Sequence, residues 1–142
     1  MIRRFAKEDT DVVVASWRSA SALAHPFLSQ AFIDREAENV RNVYLALAET
    51  WVTEVDGEVV GFISLIEDMV GGLFLDPAYH GRGYGRAMLD KAVAEKGALQ
   101  VEVFEENAIA RRFYTAYGFQ GAEEFTHELS GQPTLRMTFK PS

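Results

Sequence analysis

The sequence predicts an α/β (α+β) domain, a mixed sheet with helices on its faces, in the order β-αα-βββ-α-β-α-ββ. Three observations carry that expectation. Stretches with helical apolar spacing alternate with short β-rich runs instead of segregating from them. Asp56-Gly57 joins two alternating apolar runs, the strongest short-range hairpin signal. A cluster of glycines, Gly81, Gly83 and Gly85, stands between a strand-like and a helix-like run. At 142 residues, with no internal repeat and no linker-like stretch, the chain reads as one domain, residues 1–142.

The elements follow in order. Ile2–Phe5 reads as a first strand. Thr10–Leu23 has helical spacing through Val13, Val14, Trp17 and Ala20, with Asp9 or Thr10 as its cap. Ala24-His25-Pro26-Phe27-Leu28 interrupts it, because proline disfavours helix at the preceding residue. Ser29 then caps a second helix running to about Ala46, with Phe32, Ile33, Val40, Val43 and Leu47 as its buried face. Thr50–Val55, Glu58–Ile66 and Met69–Leu75 form a meander. Gly83–Glu95 is a helix with Met88, Leu89, Ala92 and Val93 inward, ended near Gly97. Leu99–Phe104 is a central strand. Asn107–Tyr117 is a helix stopped by Gly118, with Phe119 covering its end. Weaker strands around Phe125–Leu129 and Leu135–Phe139 complete the chain.

Composition narrows the function. A formal net charge of −7 argues against nucleic acid as a partner, which calls for a basic face. No apolar run reaches the roughly 18–20 residues of a membrane span, and the charged start MIRRFAKEDTD lacks the apolar core of a secretory leader. The absence of cysteine removes thiolate metal sites and a cysteine nucleophile, and fits a cytoplasmic location. His25, His80 and His127 have no ligand-like spacing, so no metal is expected.

The stretch DPAYHGRGYGRAML carries the most chemistry. Between a strand and a helix, exposed backbone N–H groups and the positive end of the helix dipole favour an anion. Glycines at 81, 83 and 85 keep side chains out of its way, and Arg82 and Arg86 supply charge, which suits a pyrophosphate. A phosphate-binding G-x-x-x-x-G-K-[ST] loop is ruled out by the missing lysine. A dinucleotide G-x-G-x-x-G pattern is ruled out because Arg86 or Met88 fills its third slot. A plain strand-to-helix turn with solvated arginines is the alternative.

The surroundings decide between them. H-G-R-G-Y-G-R after a strand ending in D-P, with N-x-x-A-x-x-F-Y-x-x-x-G-F about twenty residues on, resembles the GNAT superfamily of acyl-CoA N-acyltransferases. That family's loop reads [QR]-x-x-G-x-[GA]; here it is His80-x-x-Gly83-x-Gly85, so histidine stands in the first place. The element order matches the family fold, a mostly antiparallel central sheet, over essentially the whole chain.

The resemblance implies acetyl-CoA as co-substrate and direct transfer of acetyl to a primary amine in a ternary complex. It implies that the backbone of Gly81, Arg82, Gly83, Tyr84, Gly85 and Arg86 holds the pyrophosphate. The strand before the loop would splay at Gly71-Gly72, and Leu73, Phe74 and Leu75 would pair with the pantetheine arm. Asn107 and Tyr114 lie seven apart, on one helical face. By resemblance Asn107 contacts pantetheine and Tyr114 protonates the leaving thiolate; a helix cap and a core aromatic are the structural alternatives. Arg111 and Arg112 reach the phosphates or are simply solvated.

The base that relieves the amine of its proton is Glu102, less favourably Glu67, or a chain of waters. His25 and Phe27 sit where the family builds part of its acceptor pocket. The acceptor itself is open among small amines, peptides and protein lysines, and a homodimer is one state the resemblance allows. A non-catalytic acyl-CoA-binding module and a nucleotide-phosphate binder are the rival functions.

Overall fold

In the computed structural model, which describes residues 1–24, 27–127 and 131–141, the strands form one seven-stranded sheet. They are β1 (Ile2–Arg4), β2 (Glu49–Val55), β3 (Glu58–Ile66), β4 (Met69–Leu75), β5 (Leu99–Phe104), β6 (Gln120–Thr126) and β7 (Pro133–Phe139). Their order across the sheet is β1-β2-β3-β4-β5-β7-β6, antiparallel throughout except for β4 beside β5. The helices are α1 (Thr10–Ala24), α2 (Gln30–Asn39), α3 (Leu45–Leu47), α4 (Tyr84–Lys96) and α5 (Ala108–Tyr117). No helix among the described residues is long and apolar enough to cross a membrane.

Two cores lie on the two faces of the sheet. Trp51, Ile63 and Leu65 meet Met88, Leu89 and Ala92 of α4, with Tyr114 and Phe119 at the α5 end. Val52 and Phe62 project to the other face, where they meet Val13 and Val14 of α1 and Ala37 and Val40 of the α2 region. Because successive side chains on a strand point to opposite faces, β2 and β3 are buried on both. The Asp56-Gly57 turn has φ of +50° and +83°, the mirror-image turn whose twist matches that of a hairpin.

Several expectations need correction. Asp9 does not cap α1: it closes the 3-10 turn Lys7–Asp9 that precedes it, its carboxylate accepting from the Ala6 N–H at 2.8 Å and from Arg3 at 2.8 and 3.0 Å. Ser29 does cap α2, accepting from the Phe32 N–H at 3.1 Å. Beyond Asn39 the helix widens into a π-turn over Val40–Tyr44 before α3. One extra residue in that turn rotates everything after it, so Leu45 is buried and Leu47, expected inside, is 72% exposed. The side chains of Ala20 and Val43 lie outside those described. β6 begins at Gln120 rather than near Phe125; it is an edge strand bulged between Gln120 and Glu123, and its polar residues conceal the alternation.

Gly61 lies across from Leu75, and a Cβ there would stand 2.7 Å from the Phe74 carbonyl oxygen and 3.2 Å from the Leu75 Cα. Both are backbone atoms with no room to yield. Gly61→Ala is therefore expected to cost about 1–3 kcal/mol by overpacking, read as a lowered denaturation midpoint; an unchanged midpoint would refute the close fit. The Arg3 guanidinium holds the Asp9 carboxyl below the usual carboxylate range. A depressed folded-state pKa stabilises above the unfolded value and fades as pH falls through the folded one. Asp9→Asn should thus destabilise by about 1–3 kcal/mol near neutrality, and denaturation midpoints of the two proteins should converge below roughly pH 4.

Candidate active site

The site begins with a defect in the sheet. On β4, Val70 faces Leu65 and Gly72 faces Ser64, leaving Gly71 as the extra residue of a bulge. Immediately before it, β4 and β5 pair at Met69–Gln100 and Val70–Val101, and past Val70 their ladder stops. Leu73, Phe74 and Leu75 therefore keep their pairing to β3 while the edge toward β5 carries no strand. A sheet edge opened in this way can accept an extended ligand as an added strand.

A cavity of about 390 Å³ opens beside that edge, walled by Leu73–Leu75, the glycine loop and α5. The loop is built by backbone conformation. Gly81 and Gly83 have φ of +77° and +85°, and a Cβ on either would meet no atom within 4 Å, so both leave clear space at the cavity mouth. Gly83 is the N-cap of α4, whose first backbone hydrogen bond runs from the Ala87 N–H to the Gly83 carbonyl at 3.0 Å. The amides of Tyr84, Gly85 and Arg86 precede that bond and have no helical acceptor. Three such amides at the positive end of a helix, with Arg86 beside them in the wall, fit a pyrophosphate.

Not every loop residue serves that end. Gly85 has an ordinary helical conformation, and a Cβ there would come within 3.1 Å of the Phe113 ring, so its smallness also lets α4 approach α5. Arg82 is exposed, lies over the Tyr79 ring at 5.4 Å and is not part of the cavity wall. Arg111 donates to the Glu105 carbonyl at 2.6 Å, and neither it nor Arg112 reaches the cavity. His80, where the family pattern has Gln or Arg, bonds through Nε2 to the Leu75 carbonyl at 3.0 Å. A carbonyl only accepts, so Nε2 carries the proton in that contact. The ring thereby ties the loop to the end of β4.

The α5 residues close the cavity from the other side. Asn107 caps the helix, its Oδ1 accepting from the Ala110 N–H at 3.0 Å, and its buried side chain also lines the cavity. Tyr114 is 5% exposed, packed edge-on between Phe113 and Phe119 with ring centroids 5.2 and 5.1 Å away. Burial pushes its phenol well above the ordinary value, so the group keeps its proton at any physiological pH. Gly118 ends the helix with φ of +128°, and the Phe119 N–H returns to the Tyr114 carbonyl at 3.0 Å. That cap fixes the Tyr114 turn of the helix.

A second cavity, about 270 Å³, opens from the same seam toward α1, α2, β5 and β7. The two cavities share Leu73, Phe74, Asn107, Ala110 and Tyr114. Glu102 lines the second, but its Oε2 accepts from Arg136 Nε and Nη2 at 3.1 and 2.8 Å. Glu67 lines neither; it sits exposed in the β3–β4 turn with φ of +55°. Phe27 stands behind the wall, edge-on to Phe104 at 5.6 Å, and His25 falls outside the described residues.

Sequence reasoning missed Ser21, Phe104, His127 and Glu36 of this second cavity. For Glu36 a signal existed: it interrupts the stripe Phe32, Ile33, Ala37, Val40 with a charge on the face that α2 turns inward. For the others, the partners lie too far apart in the chain for spacing to reveal them.

Comparison with known proteins agrees with this geometry. The family model described as an acetyltransferase (GNAT) domain matches residues 46–121. The chain is 32% identical over 140 residues to the peptidyl-lysine N-acetyltransferase YiaC of Escherichia coli strain K12, covering 98% of this chain and 96% of that one. It is 34% identical over 120 residues to the peptidyl-lysine N-acetyltransferase YjaB of Salmonella typhimurium strain LT2, covering 84% and 82%. The solution structure of apo-form YjaB from Escherichia coli superposes with a TM-score of 0.86 at 30% identity, covering 100% of this chain and 98% of that one. The parted strands, the glycine loop and these relatives together show that the chain belongs to the GNAT family and is an acetyl-CoA-dependent N-acetyltransferase.

Proposed function

We propose that the chain acetylates the ε-amine of lysine side chains in peptides or proteins, by direct transfer within a ternary complex. The observation that carries this reading is the meeting of two cavities at Tyr114: one suits a nucleotide-linked acyl donor, the other an acceptor arriving from the α1–α2 side. The relatives named as peptidyl-lysine N-acetyltransferases support lysine as the acceptor class.

The donor brings an acyl group activated as a thioester. Every remaining task falls to the chain. The Tyr84–Arg86 amides and Arg86 hold the pyrophosphate, with Gly81 and Gly83 leaving room for it. The unpaired edge of Leu73–Leu75 lines up the arm, and a backbone N–H there polarises the carbonyl as negative charge develops on its oxygen. As the new N–C bond forms and the C–S bond breaks, the Tyr114 phenol gives its proton to sulfur and recovers one from solvent. The ε-ammonium loses one proton to water before it attacks, and the second amine proton leaves through water in the open second cavity as the N–C bond forms. Glu102 assists from its edge rather than acting alone, because taking up that proton would cost its ion pair with Arg136. With no cysteine in the chain, no thiol is available to carry the acyl group between donor and acceptor.

Tyr114→Phe should lower kcat about 100-fold while leaving the KM for acetyl-CoA within twofold, measured by thiol release with a lysyl peptide. Undiminished turnover would remove Tyr114 from the mechanism. Glu102→Gln should cost less than tenfold in the same assay, a smaller loss than Tyr114→Phe. Gly83→Ala forces a side chain into left-handed backbone at a strain of about 1–2 kcal/mol. It should raise the KM for acetyl-CoA several-fold with little change in the acceptor KM; the reverse pattern would move the pyrophosphate elsewhere.

A further inference from the structure

The second cavity is more than an opening onto the seam; its wall has a chemistry of its own. Trp17 of α1 stands edge-on to Phe74 at 6.2 Å. The His127 ring meets Phe104 at 5.2 Å and Phe32 at 6.3 Å. These flat, largely apolar surfaces suit a long methylene stem. Two carboxylates interrupt them, and they differ in one respect. Glu102 is paired with Arg136, which also lies 3.6 Å from Glu123. Half-buried Glu36 has no cation within ion-pair distance among the described residues. The cations nearest in sequence are otherwise engaged: Arg18 holds Asp34, Arg41 holds Asp11, and Arg35 lies over the Phe32 ring.

A second, independent observation points the same way. Ser21 is 1% exposed, lines this cavity, and its Oγ has no hydrogen-bond partner. A buried hydroxyl without a partner carries a desolvation cost that a polar ligand group would relieve. An uncompensated carboxylate and an unsatisfied hydroxyl in one apolar-walled cavity describe a receptor for a cation on an aliphatic stem.

We infer that Glu36 is the acceptor-recognising carboxylate: it receives the ε-ammonium of the incoming lysine on entry to the second cavity, with Ser21 adding a hydrogen bond. Glu36 contributes to binding and selectivity for a cationic amine. The chemical step stays at the seam with Tyr114. The assignment rests on the lysine reading above. It adds that charge, as well as shape, selects the acceptor, and that an acceptor lacking a cation enters poorly.

Initial-rate kinetics of the full chain with acetyl-CoA and an N-terminally blocked lysyl peptide test it. Glu36→Gln keeps the side-chain volume and should raise the peptide KM about tenfold, the worth of one charge-assisted hydrogen bond. Its kcat and its KM for acetyl-CoA should stay within twofold, which also shows that the variant is folded. Glu36→Asp should recover part of the loss. Glu38→Gln, on the exposed side of the same helix, should change nothing. A peptide KM within twofold of wild type for Glu36→Gln would overturn the role of Glu36 while leaving lysine as acceptor. Failure of the unaltered chain to release CoA with lysyl peptides would overturn the lysine reading and this assignment together.

Discussion

Everything functional in this molecule depends on two strands that agree to pair for two residues and then part. β4 and β5 are the only parallel neighbours among the described strands, and their ladder ends at Val70 and Val101. The bulge at Gly71 directs the rest of β4 away, while its pairing to β3 keeps Leu73–Leu75 in extended conformation. An open strand edge inside a sheet is normally a liability, since its backbone groups lack partners. Here it is placed between a helix that supplies amides and a helix that supplies a phenol.

The rest of the fold keeps that parting stable. α4 packs Met88, Leu89 and Ala92 beneath the β2–β4 half, and α5 with the residue after its cap holds Tyr114 and Phe119 within the same core. On the other face, α1 and the α2 region cover Val52 and Phe62. The first cavity opens toward the glycine loop and α4, the second toward α1 and α2, and the two meet at Tyr114.

Much of this was legible in the sequence, for reasons that differ by element. The hairpin at Asp56-Gly57 and the caps at Ser29, Asn107 and Gly118 are local devices, read from a few adjacent residues. The wall of the first cavity was legible because the glycine loop is one short stretch and because Asn107 and Tyr114 belong to one short helix and its cap. The wall of the second cavity was not. Trp17, Glu36, Glu102 and His127 come from α1, α2, β5 and the residue after β6, brought together only by the tertiary fold. The π-turn at Val40–Tyr44 shifts the helical phase with no glycine or proline to mark it, which is why Leu47 was expected inside and Leu45 is there instead. The pairing of Glu102 with Arg136 depends on β5–β7 register, and no spacing rule foretells it.

The histidine at position 80 has a consequence of another kind. Its ring bridges the end of β4 and the loop that follows, so the open strand edge and the glycine loop are fastened by one hydrogen bond. An imidazole reaches that carbonyl on a shorter and stiffer side chain than a glutamine or an arginine would. Less side-chain freedom is lost in making the contact, so the end of β4 and the loop are held in one register at little ordering cost.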